Sequence, residues 1–394
     1  VGGSIVLGLG GTVDYEIHWE PGTIDALVEQ FGITPDELDV ATPILDERSL
    51  LVVILAFLRA DAGGERHVGD SDLIERFAAR FPLRVTLGGT GVRAGIALDS
   101  LGIGSVQHLV SIDDTVRDLL PRSMRWISSA HEDSRHPHLI VQYPAGTRVT
   151  VGDTVLVSGG ANRLIFADDP PNRTMALASD LGDELANAEI LLVSGFNTMR
   201  DEQLLRTRLR ELHSAMERLP SDALVYVEDA GYYVPEFRSL VRQALLPRAD
   251  VYGMNEDELQ EDLRRRVDLL DPEDVVRALQ EIAVAVPART LVVHTRYWAI
   301  GHGPEAGRHQ AALASAVQMA ATRYRCGDGH DAADFAATAA LPHHRAGAHV
   351  VETVLATLPD TSGVPAFSIA APFPTTIGLG DTFVGGFLAS WARE

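Results

Sequence analysis

Cysteine is almost missing from this chain. Cys326 stands alone among 394 residues, so neither an intrachain disulfide framework nor a cysteine-rich zinc site can be assembled. Positive charge is also scarce, with 33 Lys+Arg against 55 Asp+Glu and a net charge of −22. Nucleic acid and anionic membranes both demand a positive face, so neither is expected as a partner. Anionic small molecules stay open, because helix dipoles, a few arginines and a bound cation can outweigh the global field locally. No stretch approaches ~20 consecutive apolar residues, so no membrane-spanning helix is expected. The opening Val1-Gly2-Gly3-Ser4 leads straight into an apolar run without a signal-peptide pattern, and a cytoplasmic location is the expectation.

Apolar material is plentiful. At 46% hydrophobic and 22% charged, the chain can bury a large core, as two or three domains or as one α/β domain with an appendage. Ile5–Leu9, Ile190–Val193, Leu224–Val227, Leu291–Val293 and Phe367–Ala370 read as buried strands. Helical patterns over Glu256–Val267, Pro272–Val286 and Gln310–Thr322 lie between them. The Ala-rich stretch Ala311 to Ala340 reads as close-packed helices. Such alternation predicts a mostly parallel sheet covered by helices on both faces.

Two regions break that rhythm. From about Asp14 to Phe31 and from about His136 to Asp169 the pattern alternates. His138–Tyr143, a Pro144-Ala145-Gly146 turn and Thr147–Val151 read as a hairpin. A β-rich insert of this kind suits a lid that excludes water, with a surface hairpin as the alternative. Gly8-Leu9-Gly10 after a strand invites a dinucleotide-binding reading. It fails because Val13 occupies the third fingerprint position and Asp14–Trp19 alternates like a strand. The 14 histidines include no metal-spaced pair on a convincing helix; His343, His344 and His349 read as loop residues.

The C-terminal stretch says most. A Gly378-Leu379-Gly380 turn precedes Asp381, and Thr382 to Trp391 reads as an apolar helix. Such a turn aims bare amides at one point, and the helix dipole adds positive potential there. A carboxylate is out of place in a pure anion site. It makes sense if Asp381 takes a proton from an attacking hydroxyl while the amides hold a transferring phosphoryl group. An ordinary loop with a first-turn aspartate fits the same residues.

Gly378-Leu379-Gly380-Asp381-Thr382-Phe383-Val384-Gly385-Gly386-Phe387 resembles the Gly-x-Gly-Asp signature of the ribokinase-like kinases. The resemblance implies that Asp381 is the catalytic base and that Gly378 and Gly380 supply the anion hole. More of the chain resembles one branch, the ADP-dependent glucokinases and phosphofructokinases. Gly10-Gly11-Thr12-Val13-Asp14 is similar to its Asn-x-Asp element, with Thr12 at the Asn position, and implies a sugar contact from Asp14. Gly88-Gly89-Thr90 is similar to its Gly-Gly-x element, with Thr90 where the branch carries Gln or Asn. His138–Thr147 resembles the lid strand that brings a sugar-binding His, and Asn162-Arg163-Leu164-Ile165 the element that places an Arg near the transferred phosphate.

Tyr226-Val227-Glu228 stands where the branch has His-x-Glu, and Asn255-Glu256-Asp257-Glu258 matches its Asn-x-x-Glu. These imply that Glu228 and Glu258 help hold Mg²⁺. His294-Thr295 resembles the nucleotide-side segment, to which Leu379 is added. Ala62-Gly63-Gly64-Glu65 resembles the segment where glucokinases carry Glu and phosphofructokinases a small residue, so Glu65 leans toward a hexose such as glucose.

The implied fold is a ribokinase-like three-layer sandwich with a mostly parallel central sheet and a smaller β-rich lid. Residues 1–13, 88–135 and 171–394 would form the large nucleotide-binding domain; about 14–87, in part, and 136–170 would form the lid. The implied partners are a sugar and an adenine nucleotide. ADP-dependent 6-phosphofructokinase, an ATP-dependent ribokinase-like kinase and a weakened binding protein are the alternatives. Oligomeric state has no signature.

Overall fold

The computed structural model describes residues 4–371, 375 and 377–392. Val1, Gly2 and Gly3, read above as the run into the first strand, lie outside the described residues, as does Thr376 just before the glycine turn.

Nine strands form the central sheet, in the order Thr361–Pro365, Trp298–His302, Thr290–His294, Val251–Asn255, Leu224–Glu228, Ala188–Val193, Ser4–Leu7, Ser105–Leu109 and Met124–Ser128. The pairings from Thr290–His294 onward are parallel; the first two strands add antiparallel at one edge. Strand periodicity divides their side chains between two cores. Ile5, Leu7, Ile190, Leu192, Leu224 and Tyr226 face the helices Thr90–Asp99, Gln310–Cys326 and Leu379–Trp391. Val6, Leu191, Val193, Val225 and Val227 face the helices Glu202–Met216, Phe237–Leu245, Pro272–Ala285 and Arg345–Thr357. Runs apolar at every position are what a sheet buried on both faces requires.

A second sheet holds five strands in the order Gly64–His67, Asn162–Ala167, His138–Tyr143, Thr12–His18 and Leu83–Gly88. One face is apolar: Val13, Tyr15, Ile17, Leu139, Val141, Leu164 and Phe166 pack under the helices Pro21–Phe31, Glu47–Ala60 and Ser71–Ala78. The register brings Asp14 opposite Thr86 and His138, Glu16 opposite Arg84, and Gln142 opposite Arg163. By alternation these side chains share the other face, which is polar and uncovered by those helices.

Four expectations need correcting. His138–Tyr143 and Thr147–Val151 are not a hairpin. The first strand is saturated by Thr12–His18 on one side and Asn162–Ala167 on the other, so Arg148–Val151 pairs with Thr154–Val157 instead. The alternation from Asp14 ends at His18; Pro21 opens a helix to Phe31 whose Ile24, Leu27 and Val28 form the buried stripe. The last strand is Thr361–Pro365, not Phe367–Ala370: its five residues exhaust Trp298–His302, and Phe367 keeps a single bridge to His343. His349 lies inside the helix Arg345–Thr357, which His344 caps.

Among the described residues no helix is long and apolar enough to cross a membrane. The helix Leu379–Trp391 packs against two others at once. A Cβ on Gly385 would lie 2.6 Å from the Ala94 carbonyl oxygen; one on Gly386 would lie 2.5 Å from Met319 Cβ and 2.8 Å from the Ser315 carbonyl oxygen. Neither neighbour is a flexible tip that can swing aside. Gly386→Val is expected to lower the unfolding free energy by about 1–3 kcal/mol, the cost of overpacking, seen as a reduced urea midpoint at unchanged slope.

Candidate active site

The strands Leu224–Glu228, Val251–Asn255 and Thr290–His294 end side by side, and Glu228, Asn255 and His294 are their last residues. The crevice beyond the carboxyl ends of parallel strands is where open α/β sheets bind ligands. The helix Leu379–Trp391 begins there, with Gly378 as its N-cap in the left-handed region at φ 62°. A Cβ on Gly378 would strike the Arg93 stem and lie 2.8 Å from Arg323 Nη1. Glycine is therefore required by both conformation and space.

Asp381 sits in the first turn of that helix, its side chain one-quarter exposed. Thr90 Oγ1 donates to Asp381 Oδ1 at 2.8 Å, and Thr90 in turn is the first residue of a helix capped by Gly89 at φ 92°. Arg93, one turn on, is only 4% exposed. Its Nη2 donates to Asp14 Oδ2 at 2.9 Å, its Nε lies 4.0 Å from Asp381 Oδ2, and Glu16 Oε1 is 3.9 Å away. Thr12 Oγ1 completes the seat of Asp14 by donating to Oδ1 at 2.7 Å. From the helix Gln310–Cys326, Arg323 Nη1 donates to the Gly378 carbonyl and to Thr382 Oγ1, both at 3.0 Å.

His294 is buried beneath the turn. Its ring stacks on Phe383 at 4.5 Å and bonds Glu228 Oε1 through Nε2 at 2.8 Å; a Cβ on Gly380 would meet its Cε1 at 3.2 Å. Thr295 Oγ1 donates to the Trp298 carbonyl and accepts the Tyr297 and Trp298 amides, fixing the turn that follows. Burial raises the pKa of Glu228, with His294 opposing and Asp381 adding to the rise. Burial works against a charge on His294, but Glu228 and the nearby Glu258 and Glu256 outweigh it. The pair thus holds its proton more tightly than either group would in water. Glu258 closes a capping box with Asn255, whose side chain accepts the Asp257 and Glu258 amides. Burial pushes Glu258 up to about 7, opposed by the Asn255 amide and helped by Glu228 and Asp229.

On the polar face of the five-stranded sheet, His138 Nε2 bonds Asp169 Oδ2 at 3.0 Å, and Asn172 Nδ2 donates to that same oxygen at 2.7 Å and to the Gly11 carbonyl at 3.0 Å. Glu65 is reached by solvent yet closely surrounded. That desolvation raises its pKa against the pull of His138 and Arg163 and a hydrogen bond from Tyr233. The structure thus draws Asp14, Glu65, His138 and Arg163 into one electrostatic neighbourhood, and Thr90 and Asp381 into another, with Arg93 between them. Tyr233 and Arg93 were not picked out in the sequence. A signal for Arg93 existed: it is the lone charge in the apolar run Gly91–Leu98, and a buried charge demands partners.

Residues 3–339 match the family model described as the ADP-specific phosphofructokinase/glucokinase conserved region. The chain belongs to this family. ADP-dependent glucokinases and phosphofructokinases are phosphotransferases that act on sugar hydroxyls, and this chain is an enzyme of that type. The match ends before Gly378, so the glycine turn and Asp381 rest on the geometry above. No curated protein matches the chain. Among solved structures it is similar to a phosphofructokinase from Pyrococcus horikoshii OT3 with AMP, at 18% identity and TM-score 0.77, covering 100% of this chain and 98% of that one. A hypothetical ADP-dependent phosphofructokinase from the same organism gives 18% and 0.79 over the same shares. An ADP-dependent kinase complex with fructose-6-phosphate and ADPβS gives 15% and 0.76, covering 99% and 94%. These likenesses establish the ribokinase-like three-layer fold.

Nucleotide-dependent kinases of this family imply a divalent cation. Among the described residues no group of three or more His, Cys, Asp or Glu side chains converges as a cage. Mg²⁺ needs none, since it keeps several waters and takes one or two carboxylates plus donor phosphates. Glu228 and Glu258 suit that mode: Glu228 ends a strand and Glu258 stands in the first turn of the helix after the next strand, both side chains are buried, and Glu228 Oε2 finds no well-aligned hydrogen bond. Tyr226, at the branch's His position, lies in the apolar core at 5.1 Å from Phe387, with its hydroxyl beside Glu228 Oε2 above Gly253.

The His138–Asp169 contact carries its own test. Burial disfavours a charge on His138, but the Asp169 hydrogen bond and the charges of Asp169, Asp14 and Glu65 raise its pKa overall. His138 is expected to titrate above the ordinary imidazole value of about 6.5, followed by NMR, and Asp169→Asn is expected to bring it down.

Proposed function

We propose that this enzyme transfers a phosphoryl group from ADP to a hydroxyl of a neutral hexose, glucose being favoured, with Asp381 as general base. The observation that carries this reading is Asp381 itself. It stands in the first turn of a helix that opens on left-handed Gly378, and it meets Thr90 from a helix 291 residues earlier in the chain. The sugar hydroxyl would give its proton to Asp381 as the new bond to phosphorus forms. Amides after Gly378 and Gly380 would take up charge on the transferring group, and Arg163 would neutralise oxygens on the departing phosphate. Leu379, His294 and Thr295 would lie on the nucleotide side, where His294 supports the turn from beneath. Mg²⁺ held through Glu228 and Glu258 would supply charge neutralisation between donor phosphates. Positioning and electrostatics carry such reactions.

On the acceptor side, Asp14 and His138 would hold sugar hydroxyls, with Thr12 fixing Asp14 and Gly89 and Thr90 closing the floor. Residues 14–87, in part, and 136–170 act as a lid, because the polar face of their sheet carries Asp14, Glu65, His138 and Arg163. Glu65 decides for a neutral sugar: a carboxylate accepts hydroxyl bonds and repels a second phosphate. The arginines beside Tyr233 favour a second reading. Arg200 lies 4.9 Å over its ring and Arg173 acts on its charge, so they could answer a 6-phosphate and make fructose 6-phosphate the acceptor.

Two measurements test this. Asp381→Asn is expected to lower kcat by about 10²–10⁴, as loss of a positioned acid–base group does, while nucleotide binding by calorimetry persists; turnover within about twofold of wild type would end the assignment. A screen of ADP and ATP against glucose, fructose 6-phosphate and ribose is expected to favour ADP with glucose, and Glu65→Ala to shift kcat/KM toward fructose 6-phosphate. A wild-type kcat/KM for fructose 6-phosphate well above that for every neutral hexose overturns the acceptor choice.

A further inference from the structure

Arg93 lies between Asp14 on one side of the site and Asp381 on the other, and belongs to no motif that pointed to the site. It sits in the fourth position of the helix Thr90–Asp99, among Gly91, Val92, Ala94 and Gly95, and is almost fully buried. A helix packed between the central sheet and the helix Leu379–Trp391 has no structural need for a cation there. A buried charge is costly unless paired and hydrogen-bonded, and an apolar residue would fill the space at lower cost.

Its contacts are distributed in a telling way. The aliphatic stem lies on Gly378, where a Cβ would strike its Cδ. The terminal Nη2 bonds Asp14 on the five-stranded sheet at 2.9 Å, and Nε faces Asp381 on the C-terminal helix at 4.0 Å. Charges face it from four elements. Asp14 and Glu16 come from Thr12–His18, Asp381 from Leu379–Trp391 and Arg323 from Gln310–Cys326. Asp328 comes from Gly327–Gly329, itself paired to Arg323 and to Arg84 of Leu83–Gly88. Glu16 has its own donor, Thr86 Oγ1 at 2.6 Å. Arg93 is therefore the counter-ion shared by the acid on the acceptor side and the acid on the phosphoryl side.

A guanidinium is planar and rigid, so the directions of Nε and Nη2 are fixed relative to one another. Two carboxylates facing these two nitrogens, Asp14 hydrogen-bonded at 2.9 Å and Asp381 paired at 4.0 Å, are thereby kept at a set separation. We propose that Arg93 is a positioning residue that sets the distance between the sugar-holding Asp14 and the base Asp381, so that a hydroxyl oriented by one arrives at the other. This rests on the assignment of Asp381 and Asp14 made above. Arg93 need not touch the sugar; it acts through the two acids it joins.

Arg93→Lys keeps the charge and loses the fork; Arg93→Met keeps the stem and loses both. With whichever of glucose and fructose 6-phosphate the wild type phosphorylates, Arg93→Lys is expected to lower kcat by about 10²-fold, the cost of misplacement by about an ångström. It is also expected to raise sugar KM several-fold, while the KM for ADP stays within about twofold. In double-mutant cycles the kcat loss is expected to be non-additive with Asp381→Asn and the KM rise non-additive with Asp14→Asn. Should Arg93→Met fail to fold, Arg93→Lys alone decides. A merely structural role would reduce the active fraction, lowering kcat with sugar KM unmoved and the cycles additive; that result overturns the proposal. So does an Arg93→Lys enzyme within about twofold of wild type in both constants while Asp381→Asn is inactive. An active Asp381→Asn enzyme would instead refute the assignment of the base.

Discussion

Gly385 and Gly386 stand side by side and let the helix Leu379–Trp391 press against two helices at once, Thr90–Asp99 and Gln310–Cys326. With no Cβ on either residue, backbone meets backbone, and the three helices move as one layer over the central sheet. The N-termini of two of them, capped by Gly89 and Gly378, are thereby brought to the same place. Thr90 and Asp381, 291 residues apart, can then hydrogen-bond. The chemistry of the site is a by-product of how closely these helices approach, since the bond has little slack to follow a shift of either helix.

Electrostatics complements that packing. Against a net charge of −22 the chain spends its cations sparingly, and all 33 are arginines, for the sequence contains no lysine. Several are buried in mixed clusters. Beneath the Glu228 strand end, Arg238 and Arg242 surround a fully buried Asp229 together with Asp262, and Arg242 Nε donates to the Tyr252 hydroxyl at 2.9 Å. Arg93 and Arg323 do the same work at the glycine turn. Positive charge is placed where acids must be kept at short range from one another, and it is planar charge that can fix direction as well as neutralise.

The large sheet was legible in the sequence because a strand buried on both faces is apolar at every position, as Ile190–Val193 and Leu224–Val227 are. The smaller sheet was harder. His138–Tyr143 shows the right alternation, but its partners lie more than a hundred residues earlier and some twenty later, and alternation carries no record of partner identity. Thr361–Pro365 escaped notice because Ser362 and Gly363 interrupt its apolar signal, while the more apolar Phe367–Ala370 lies beyond the last residue its neighbour can pair. In the site, the acids and the glycine turn carried motif-level signals. Arg93 and Tyr233 did not, since their meaning is the set of groups around them, contributed by four separated stretches of chain.

Arginine keeps its proton at any pH a fold survives, and that gives the buried clusters an asymmetry toward acid and base. Alkali has nothing to remove from the guanidiniums. Base can take the protons on His138 and His294, both with raised pKa values. A raised imidazole contributes stability that is complete below its unfolded value and fades as pH climbs through the folded one. Alkaline exposure would therefore loosen His138 on the five-stranded sheet and His294 beneath the glycine turn, leaving the arginine clusters in place.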